Sequence, residues 1–229
     1  MGEIITLLDK ITEYYGHTAS GIIMTVIIAL YIGYIILRNY SSIVTAHLER
    51  KMREKDEAHA EATLHRKNIT PKVRQTLSDL ALEVNADRAL LFEFSNGTSN
   101  LIGLPFLYLT ATSEVVGKDI IPVSINYQRV NVSVLAEFLT KLECKGYFYA
   151  EDITKIKNEY PMLHNMFPPL YFKSVLFYSL MGIDDTIGFI LIGTTGDNTF
   201  TRDEVLPDTA SAAQKVSSYL NFDVLHEEL

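Results

Sequence analysis

The first pattern along the chain is a long apolar stretch without charge. No acidic or basic residue lies between His17 and Arg38. A helix of about 20 apolar residues matches the roughly 30 Å hydrocarbon core of a bilayer, whereas soluble helices of this length rarely lack charge on every face. The sequence therefore predicts a transmembrane helix over 18–38 with the lipid bilayer as its partner. A buried soluble helix and a cleaved signal peptide are the alternatives, but a signal peptide needs a basic start and a small-residue cleavage site.

One face of this predicted helix carries small residues at every fourth position. They are Gly21, Thr25, Ala29 and Gly33. Small side chains let a second helix approach closely, and close packing drives helix association in lipid. We name these four residues the small-residue ladder and predict that it mediates self-association. Chance is the alternative, because such residues are common in membrane helices.

The segments on either side of the apolar stretch have helical patterns. Apolar residues at helical spacing in 1–17 predict a short amphipathic helix, on the membrane surface or packed on its neighbours. Residues 39–70 are rich in both charges and predict a solvated stalk helix, after which Pro71 suits the first turn of a new helix. Basic residues after the anchor favour a cytoplasmic C-terminal domain. Acidic residues interleave with them, so the side of the membrane stays open.

From residue 71 onward, short apolar runs alternate with turn residues. Helical spacing predicts a helix over 71–85 and another over 133–142. Strands are expected at 88–94, 104–112, 126–132 and 146–150. Apolar runs at 174–181 and 186–194 flank a short polar turn and predict an antiparallel hairpin. The order of these elements predicts a mostly antiparallel sheet covered by helices.

A capping signature marks the start of the last predicted helix. Thr201 is followed three residues later by Glu204, which is the spacing of a capping box. Apolar residues then recur at helical spacing as far as Leu220, and Pro207 is tolerable only near the start of a helix. A final helix is therefore expected from 201 onward.

The composition argues against several kinds of partner and site. The net charge of −8 argues against nucleic acid as a partner, because strong binding needs a basic patch. Cys144 is the only cysteine, so no disulfide forms within the chain and a zinc site would need three other ligands. The histidines follow no metal-binding spacing. We expect neither a metal site nor a cofactor.

Paired carboxylates occur twice, and both have structural explanations. Residues 184–185 fall in the turn of the predicted hairpin, and residues 203–204 fall in the capping box. Glu93 and His164 have no base or orienting partner at a recognisable spacing. We therefore expect no catalytic residues and no enzymatic activity.

The segment 93–106 between two predicted strands is a candidate binding loop. Its glycine, asparagine and proline residues predict a loop, and loops carry binding function more often than core strands do. The residues expected to contact a ligand or a protein partner are Glu93, Ser95, Asn96, Asn100 and Phe106.

Residues 87–92 (DRALLF) and the ending over 174–220 are similar to the first and last elements of a GAF domain. The resemblance covers about 71–222 and includes Gly188 in the return strand. It implies a GAF/PAS-like, mostly antiparallel sheet flanked by helices, followed by a tail over 223–229. Together with the predicted N-terminal transmembrane helix, this gives the fold class α+β. The chain lacks the motif of the members that bind cyclic nucleotides. It also lacks the Cys-His pair that attaches a bilin.

The whole architecture resembles the holin of T-even bacteriophages. An amphipathic start, one anchor, a charged stalk and an α/β domain occur in the same order, and residues 8–10 (LDK) and 183–192 (IDDTIGFILI) are similar to segments of that family. The resemblance implies a protein that oligomerises in the bacterial inner membrane and forms lesions for timed host lysis, with an antiholin-like protein on its soluble domain. In that family the soluble domain is periplasmic, whereas the charges here favour the cytoplasm.

The sequence thus leads to two hypotheses about function. The first is a phage-type holin regulated through its soluble domain. The alternative is a membrane-tethered GAF-like sensor or adaptor that binds a small ligand or a protein partner.

Overall fold

A single helix, α1 (Gly2–Glu83), begins the computed structural model, which describes residues 2–99, 105–183, 185–196 and 198–221. By its internal contacts the chain divides into two units, Met1–Glu61 and Ala62–Leu229. Helix α1 continues across the positions where the sequence predicted separate amphipathic, transmembrane and stalk segments. These segments therefore differ in composition and share one backbone conformation.

The described residues of the N-terminal unit, 2–61, all belong to α1. Several of its apolar side chains are largely exposed, among them Ile22 (67%), Leu30 (70%) and Leu37 (71%). Among the described residues, none of the helices combines enough length and enough apolar character to cross a membrane. The transmembrane helix predicted over 18–38 therefore has no support from the structure.

Pro71 lies inside α1, where the sequence predicted a break and a new helix, and this prediction is wrong. Proline lacks an N–H group and its ring clashes with the carbonyl four residues earlier, so it normally ends a helix. Packing overrides that cost here, because Ile69 and Val73 on either side are only 6% and 3% exposed. The Thr70 hydroxyl also donates to the Arg66 carbonyl at 2.6 Å.

The second unit is built around one six-stranded antiparallel sheet, as the sequence predicted. The strands follow the order β3-β2-β1-β6-β5-β4 across the sheet. They are β1 (Arg88–Ser99), β2 (Pro105–Val116), β3 (Val130–Asn131), β4 (Tyr147–Ala150), β5 (Val175–Met181) and β6 (Thr186–Gly193). The predicted hairpin is formed by β5 and β6, which pair along their whole length.

Both faces of the sheet are covered, which explains why its central strands are apolar at successive positions. In β1, Leu90 and Phe92 face one hydrophobic core, whereas Ala89 and Leu91 face the other. Side chains alternate between the two faces of a strand, so burial on both faces requires an uninterrupted apolar run. The sequence RALLF in β1 has this character.

Three further helices cover the sheet. They are α2 (Ala136–Lys145), α3 (Pro161–Met166) and α4 (Arg202–Leu220). Helices α2 and α3 contribute Phe138 and Leu163 to the core on one face, while α4 contributes Val216 to the core on the other, together with the C-terminal part of α1. The capping box is present at the start of α4, where the Thr201 amide donates to the Glu204 carboxylate at 3.0 Å.

The strand predicted over 126–132 is mostly absent. Only Val130–Asn131 forms a strand, and Ser124–Tyr127 forms a 3₁₀ turn instead. Arg129 has a positive φ of 54°, which interrupts an extended backbone. Tyr127 is buried, and its hydroxyl donates to the Met166 carbonyl at 3.1 Å, so this segment is held by side-chain packing rather than by a strand ladder.

Candidate functional site

The space between the sheet and helices α2 and α3 is filled with aromatic rings. Phe92 stacks on Phe189 with their ring centroids 4.8 Å apart, and Phe177 meets Phe189 edge-on at 5.6 Å. All three side chains are completely buried. Aromatic pairs in these arrangements add to the stabilisation that comes from burial alone. The centre of this face is therefore solid core, and any ligand must bind nearer the edge of the sheet.

The two predicted strands that enclose the candidate binding loop are longer than the sequence predicted. Glu93 and Phe106 lie within β1 and β2, inside the strands predicted at 88–94 and 104–112, whereas Ser95 and Asn96 also lie within β1, so the prediction of a loop is wrong at these two positions. Antiparallel pairing continues as far as Ser99 opposite Pro105 and satisfies backbone groups that a loop would expose.

The structure separates the five residues that we singled out for binding. The Glu93 carboxylate is already engaged, because it accepts hydrogen bonds from Arg66 at 2.8 Å and from the Thr112 hydroxyl. Ser95 is exposed on β1. The side chains of Asn96 and Phe106 lie outside the described part of the structure, as does the whole of Asn100. Their role in binding stays a prediction.

A cleft of about 640 Å³ opens beside this strand pair, against one side of α2. Its apolar lining consists of Phe94, Leu107, Val132, Ala136, Leu139 and Ile187. Two carboxylates, Glu143 and Asp185, and two threonines, Thr140 and Thr186, complete the lining. We name it the α2 cleft. Its volume lies within the range of about 300–1,000 Å³ that is usual for ligand pockets, and an apolar lining with few polar groups is typical of them.

A second groove, of about 490 Å³, lies on the other side of α2 along strand β4. Its lining consists of Thr140, Lys141, Cys144, Lys145, Tyr147, Phe148, Tyr149, Ile156, Glu159, Tyr160 and Arg202. We name it the β4 groove. Three of these residues are cationic and one is anionic, so the groove is locally positive in a chain whose net charge is −8.

Lys141 links the two walls of the β4 groove. Its ammonium group donates to the Tyr160 hydroxyl and to Glu159 Oε1, the latter at 3.1 Å, and it lies 4.6 Å from the centre of the Tyr160 ring. The hydrogen bond to Tyr160, followed by that to Glu159, raises the pKa of Lys141. The hydrogen bond from Lys141 lowers the pKa of Glu159. Both side chains are therefore charged at neutral pH, and both remain exposed to solvent.

A buried ion pair, which the sequence reasoning missed, joins β1 to β2. Arg88 donates to Glu114 Oε1 at 2.7 Å and to the Ile121 carbonyl at 3.1 Å. Their side chains are 2% and 5% exposed. Glu114 also accepts from the amides of Val123 and Ser124. The pair thus fixes the segment after β2, and 26 residues separate its members, so no local pattern reveals it.

The small-residue ladder lies in the N-terminal unit. A side chain added at Gly21 or Gly33 would meet no other atom within 4 Å, and the Thr25 hydroxyl donates to the Gly21 carbonyl at 2.9 Å. Thr25 and Ala29 are exposed. The described chain therefore leaves this face open to another molecule, and self-association through it stays a prediction.

The second acidic pair, at 203–204, lies at the start of α4 in the capping box that the sequence predicted. Asp203 pairs with Arg202 at 2.7 Å, and the capping hydrogen bond from the Thr201 amide lowers the pKa of Glu204. Of the first pair, Asp185 lies in the turn between β5 and β6, and residue 184 lies outside the described residues. In the described part of the chain, no group of three or more histidine, cysteine or acidic side chains is placed to hold a metal ion.

Comparisons with known proteins identify the fold of the second unit but no family to which the chain belongs. No protein-family model and no curated protein matches the chain. Solved GAF-domain structures do match. The cyanobacteriochrome receptor PixJ, studied dark and illuminated, aligns with a TM-score of 0.53 at 14% identity, over 69% of this chain and 98% of that one.

Two further structures agree. The blue-light-absorbing form of the PixJ GAF domain from Thermosynechococcus elongatus aligns with a TM-score of 0.55 at 13% identity, over 72% of this chain and 94% of that one. The photoproduct state of GAF3 from Slr1393 of Synechocystis sp. aligns with a TM-score of 0.50 at 11% identity, over 70% and 98% of the two chains. None of these comparisons supports the holin resemblance. Identities this low establish the fold alone, and the second unit of this chain has a GAF-like fold.

Proposed function

We propose that this protein is a GAF-like sensor or adaptor whose regulatory ligand binds in the α2 cleft. The observation that carries the proposal is the cleft itself: about 640 Å³, largely apolar, beside the strand pair that the sequence singled out for binding. The aromatic core leaves the centre of the sheet filled, so the α2 cleft is a place where this fold offers space for a small molecule. The solved GAF structures support the fold on which the proposal rests.

The charges at the α2 cleft define the class of ligand. Glu143 and Asp185 line it, and the described lining residues include no lysine or arginine. A carboxylate ligand would meet like charges there, and like charges at close range oppose binding. An apolar ligand that is neutral or positively charged would bury its rings or chains against Phe94, Leu107 and Ile187. We therefore propose a neutral or cationic apolar ligand.

Other functions have less support. The sole cysteine, Cys144, lies on α2 beside Lys145 without a neighbouring histidine in sequence, which does not favour covalent attachment of a bilin. No comparison supports lysis or holin activity. Enzymatic activity is not part of the proposal, because Asp203 forms an ion pair with Arg202 and Glu204 belongs to the capping box of α4.

A filled-cleft variant tests the proposal. Ala136 is exposed and lines the α2 cleft, so Ala136→Phe places a ring inside it without disturbing the core. The matched control is Ala62→Phe, at an exposed alanine of α1 outside the cleft lining. The probes are 2-naphthylmethanol, which is neutral, and 2-naphthoate, which is anionic.

The neutral probe at ten times its Kd should stabilise the protein and its A62F variant by about 1.4 kcal/mol, or about 3–6 °C in Tm. The A136F variant should show no shift, and 2-naphthoate should bind more weakly than the neutral probe. Equal shifts in both variants, or no shift with either probe, would rule out the α2 cleft as the ligand site.

We also propose that the exposed apolar surface of the N-terminal unit is covered by a lipid membrane or by a second copy of the chain. Its support is the charge-free stretch over 18–37 and the exposure of side chains such as Ile22 and Leu30. Contiguous apolar surface of this kind marks an interaction site. Fractionation of cells that express the full-length protein tests this, and recovery of a monomer in the cytosolic fraction would contradict it.

A further inference from the structure

Among the described strands, β4 lies at one end of the sheet and pairs with β5 alone. Antiparallel pairs alternate between residues that exchange hydrogen bonds and residues that do not. The Ser179 amide donates to the Gly146 carbonyl at 2.9 Å, which sets the phase of this alternation. By this alternation Phe148 and Ala150 bond to β5, whereas the backbone N–H and C=O groups of Tyr147 and Tyr149 face away from β5, and both tyrosines line the β4 groove.

Three cationic side chains lie around this open edge. Lys141 and Lys145 come from α2 on one side, and Arg202 comes from the start of α4 on the other. Lysines beside a sheet edge discourage pairing with ordinary strands, because their charge would have to be buried without a partner. A strand with acidic side chains would instead be attracted by these cations.

The contacts of these cations can be exchanged. The side chains of Lys141 and Glu159 are 43% and 65% exposed, and those of Arg202 and Asp203 are 49% and 80% exposed. Exposed ion pairs contribute little to stability, so a carboxylate of a partner can replace Glu159 or Asp203 at small cost. The Tyr147 and Tyr149 side chains are half-buried and offer apolar surface next to the free backbone groups.

We propose that the β4 groove binds an extended acidic segment of a partner protein, which adds to the sheet as a seventh strand beside β4. Its backbone pairs with Tyr147 and Tyr149, and its acidic side chains, which share one face of the added strand, contact Lys141 and Lys145 of α2. Strand addition of this kind draws affinity from the backbone and specificity from the side chains that alternate along the strand. This site goes beyond the ligand proposed for the α2 cleft, and either can fail without the other.

Cys144 provides a direct readout. It is the only cysteine in the chain, its thiol is exposed, and it lines the β4 groove. The probe is an eight-residue peptide of alternating valine and glutamate, mixed with the purified full-length protein. Its binding should slow the reaction of Cys144 with N-ethylmaleimide, and fluorescence anisotropy of the labelled peptide gives the Kd.

Three comparisons separate strand addition from simple charge attraction. A valine–lysine peptide should neither bind nor protect Cys144. The valine–glutamate peptide with every backbone amide N-methylated should lose binding, because it cannot donate to the edge of β4. Inorganic phosphate at the same concentration should not protect the thiol.

A charge-reversal variant tests whether the cations of the β4 groove contribute to peptide binding. Lys145→Glu should weaken the acidic peptide about three- to tenfold, since an exposed charge contact is replaced by a repulsion of similar size. Lys118→Glu, at an exposed lysine outside the groove, should leave the Kd unchanged. Near-UV circular dichroism confirms that both variants fold.

Several results would overturn the proposal. Phosphate could protect Cys144 as well as the peptide does, or the N-methylated peptide could bind as tightly as the unmodified one. The K145E and K118E variants could lose the same affinity for the acidic peptide, or that peptide could fail to bind at millimolar concentration.

Discussion

Removal of the Glu114 side chain tests whether the buried ion pair holds β1, β2 and the following segment together. In Glu114→Ala the Arg88 guanidinium loses its counter-ion while its side chain remains 98% buried. The amides of Val123 and Ser124 lose their acceptor at the same time. Nε of Arg88 already lacks a hydrogen-bond partner within the described residues, so the guanidinium has little with which to compensate.

Removal of one partner from a buried pair costs about 3–5 kcal/mol, because the other charge stays buried without compensation. For a domain of about 150–250 residues, each 1 kcal/mol lowers Tm by about 2–4 °C, so we expect a loss of about 6–20 °C. The control is Glu151→Ala, which removes an exposed pair with Lys155 whose side chains are both 68% exposed. Such exposed pairs contribute at most about 1 kcal/mol.

Near-UV circular dichroism during thermal and urea unfolding reports this loss through the packed aromatic core, which avoids the helical signal of α1. The double variant Arg88→Met/Glu114→Gln should lose less stability than Glu114→Ala. It buries no charge, and the glutamine carbonyl can still accept from Val123 and Ser124. A Glu114→Ala variant within 1 kcal/mol of Glu151→Ala would refute the reasoning.

Three further changes have defined outcomes. Gly188→Ala should lower Tm by several degrees or prevent folding, because the added Cβ would lie 2.0 Å from the carbonyl oxygen of Phe92. The control is Gly117→Ala, which should leave Tm nearly unchanged because its added Cβ would make only ordinary contacts. Pro71→Ala should raise Tm by restoring a helical N–H donor inside α1, and a lowered Tm would contradict this. Hydrogen bonds from Lys173 and then Thr154 lower the pKa of Asp152. The ionised Asp152 carboxylate therefore stabilises the fold above about pH 4, and this stabilisation is lost as the pH falls further. In Asp152→Asn, the urea midpoint should fall less steeply between about pH 5 and pH 3 than in the unmodified protein.

The parts of the fold that the sequence predicted are those in which local pattern and tertiary packing agree. The β5–β6 hairpin and the capping box at Thr201 were predicted because turn residues and a fixed three-residue spacing are local signals. The prediction at Pro71 was wrong for the opposite reason. The local signal there is strong, but burial of Ile69 and Val73 outweighs it, and such packing depends on residues far away in the sequence.

The candidate binding loop shows a second limit. Asparagine and glycine in 93–106 favoured a loop, yet β1 and β2 continue to pair through Asn96 and Leu107. Pairing partners lie on another strand, so the composition of one segment cannot show where a ladder ends. The apolar residues Phe94 and Leu107, which the sequence reasoning did not select, line the α2 cleft, while the polar Glu93 is held by Arg66.

Helix α2 explains why two sites of opposite character lie so close together. Ala136, Leu139, Thr140 and Glu143 follow helical i, i+3, i+4 and i+7 spacing and line the α2 cleft. Lys141, Cys144 and Lys145 follow i, i+3 and i+4 spacing five residues after Ala136 and line the β4 groove, while Thr140 lines both sites. Because each residue rotates a helix by about 100°, an offset of five residues places the second stripe about 140° around α2 from the first. A ligand that displaced α2 on one side would therefore change the groove on the other, and thermodynamic linkage requires strand binding to change the affinity for that ligand by the same factor.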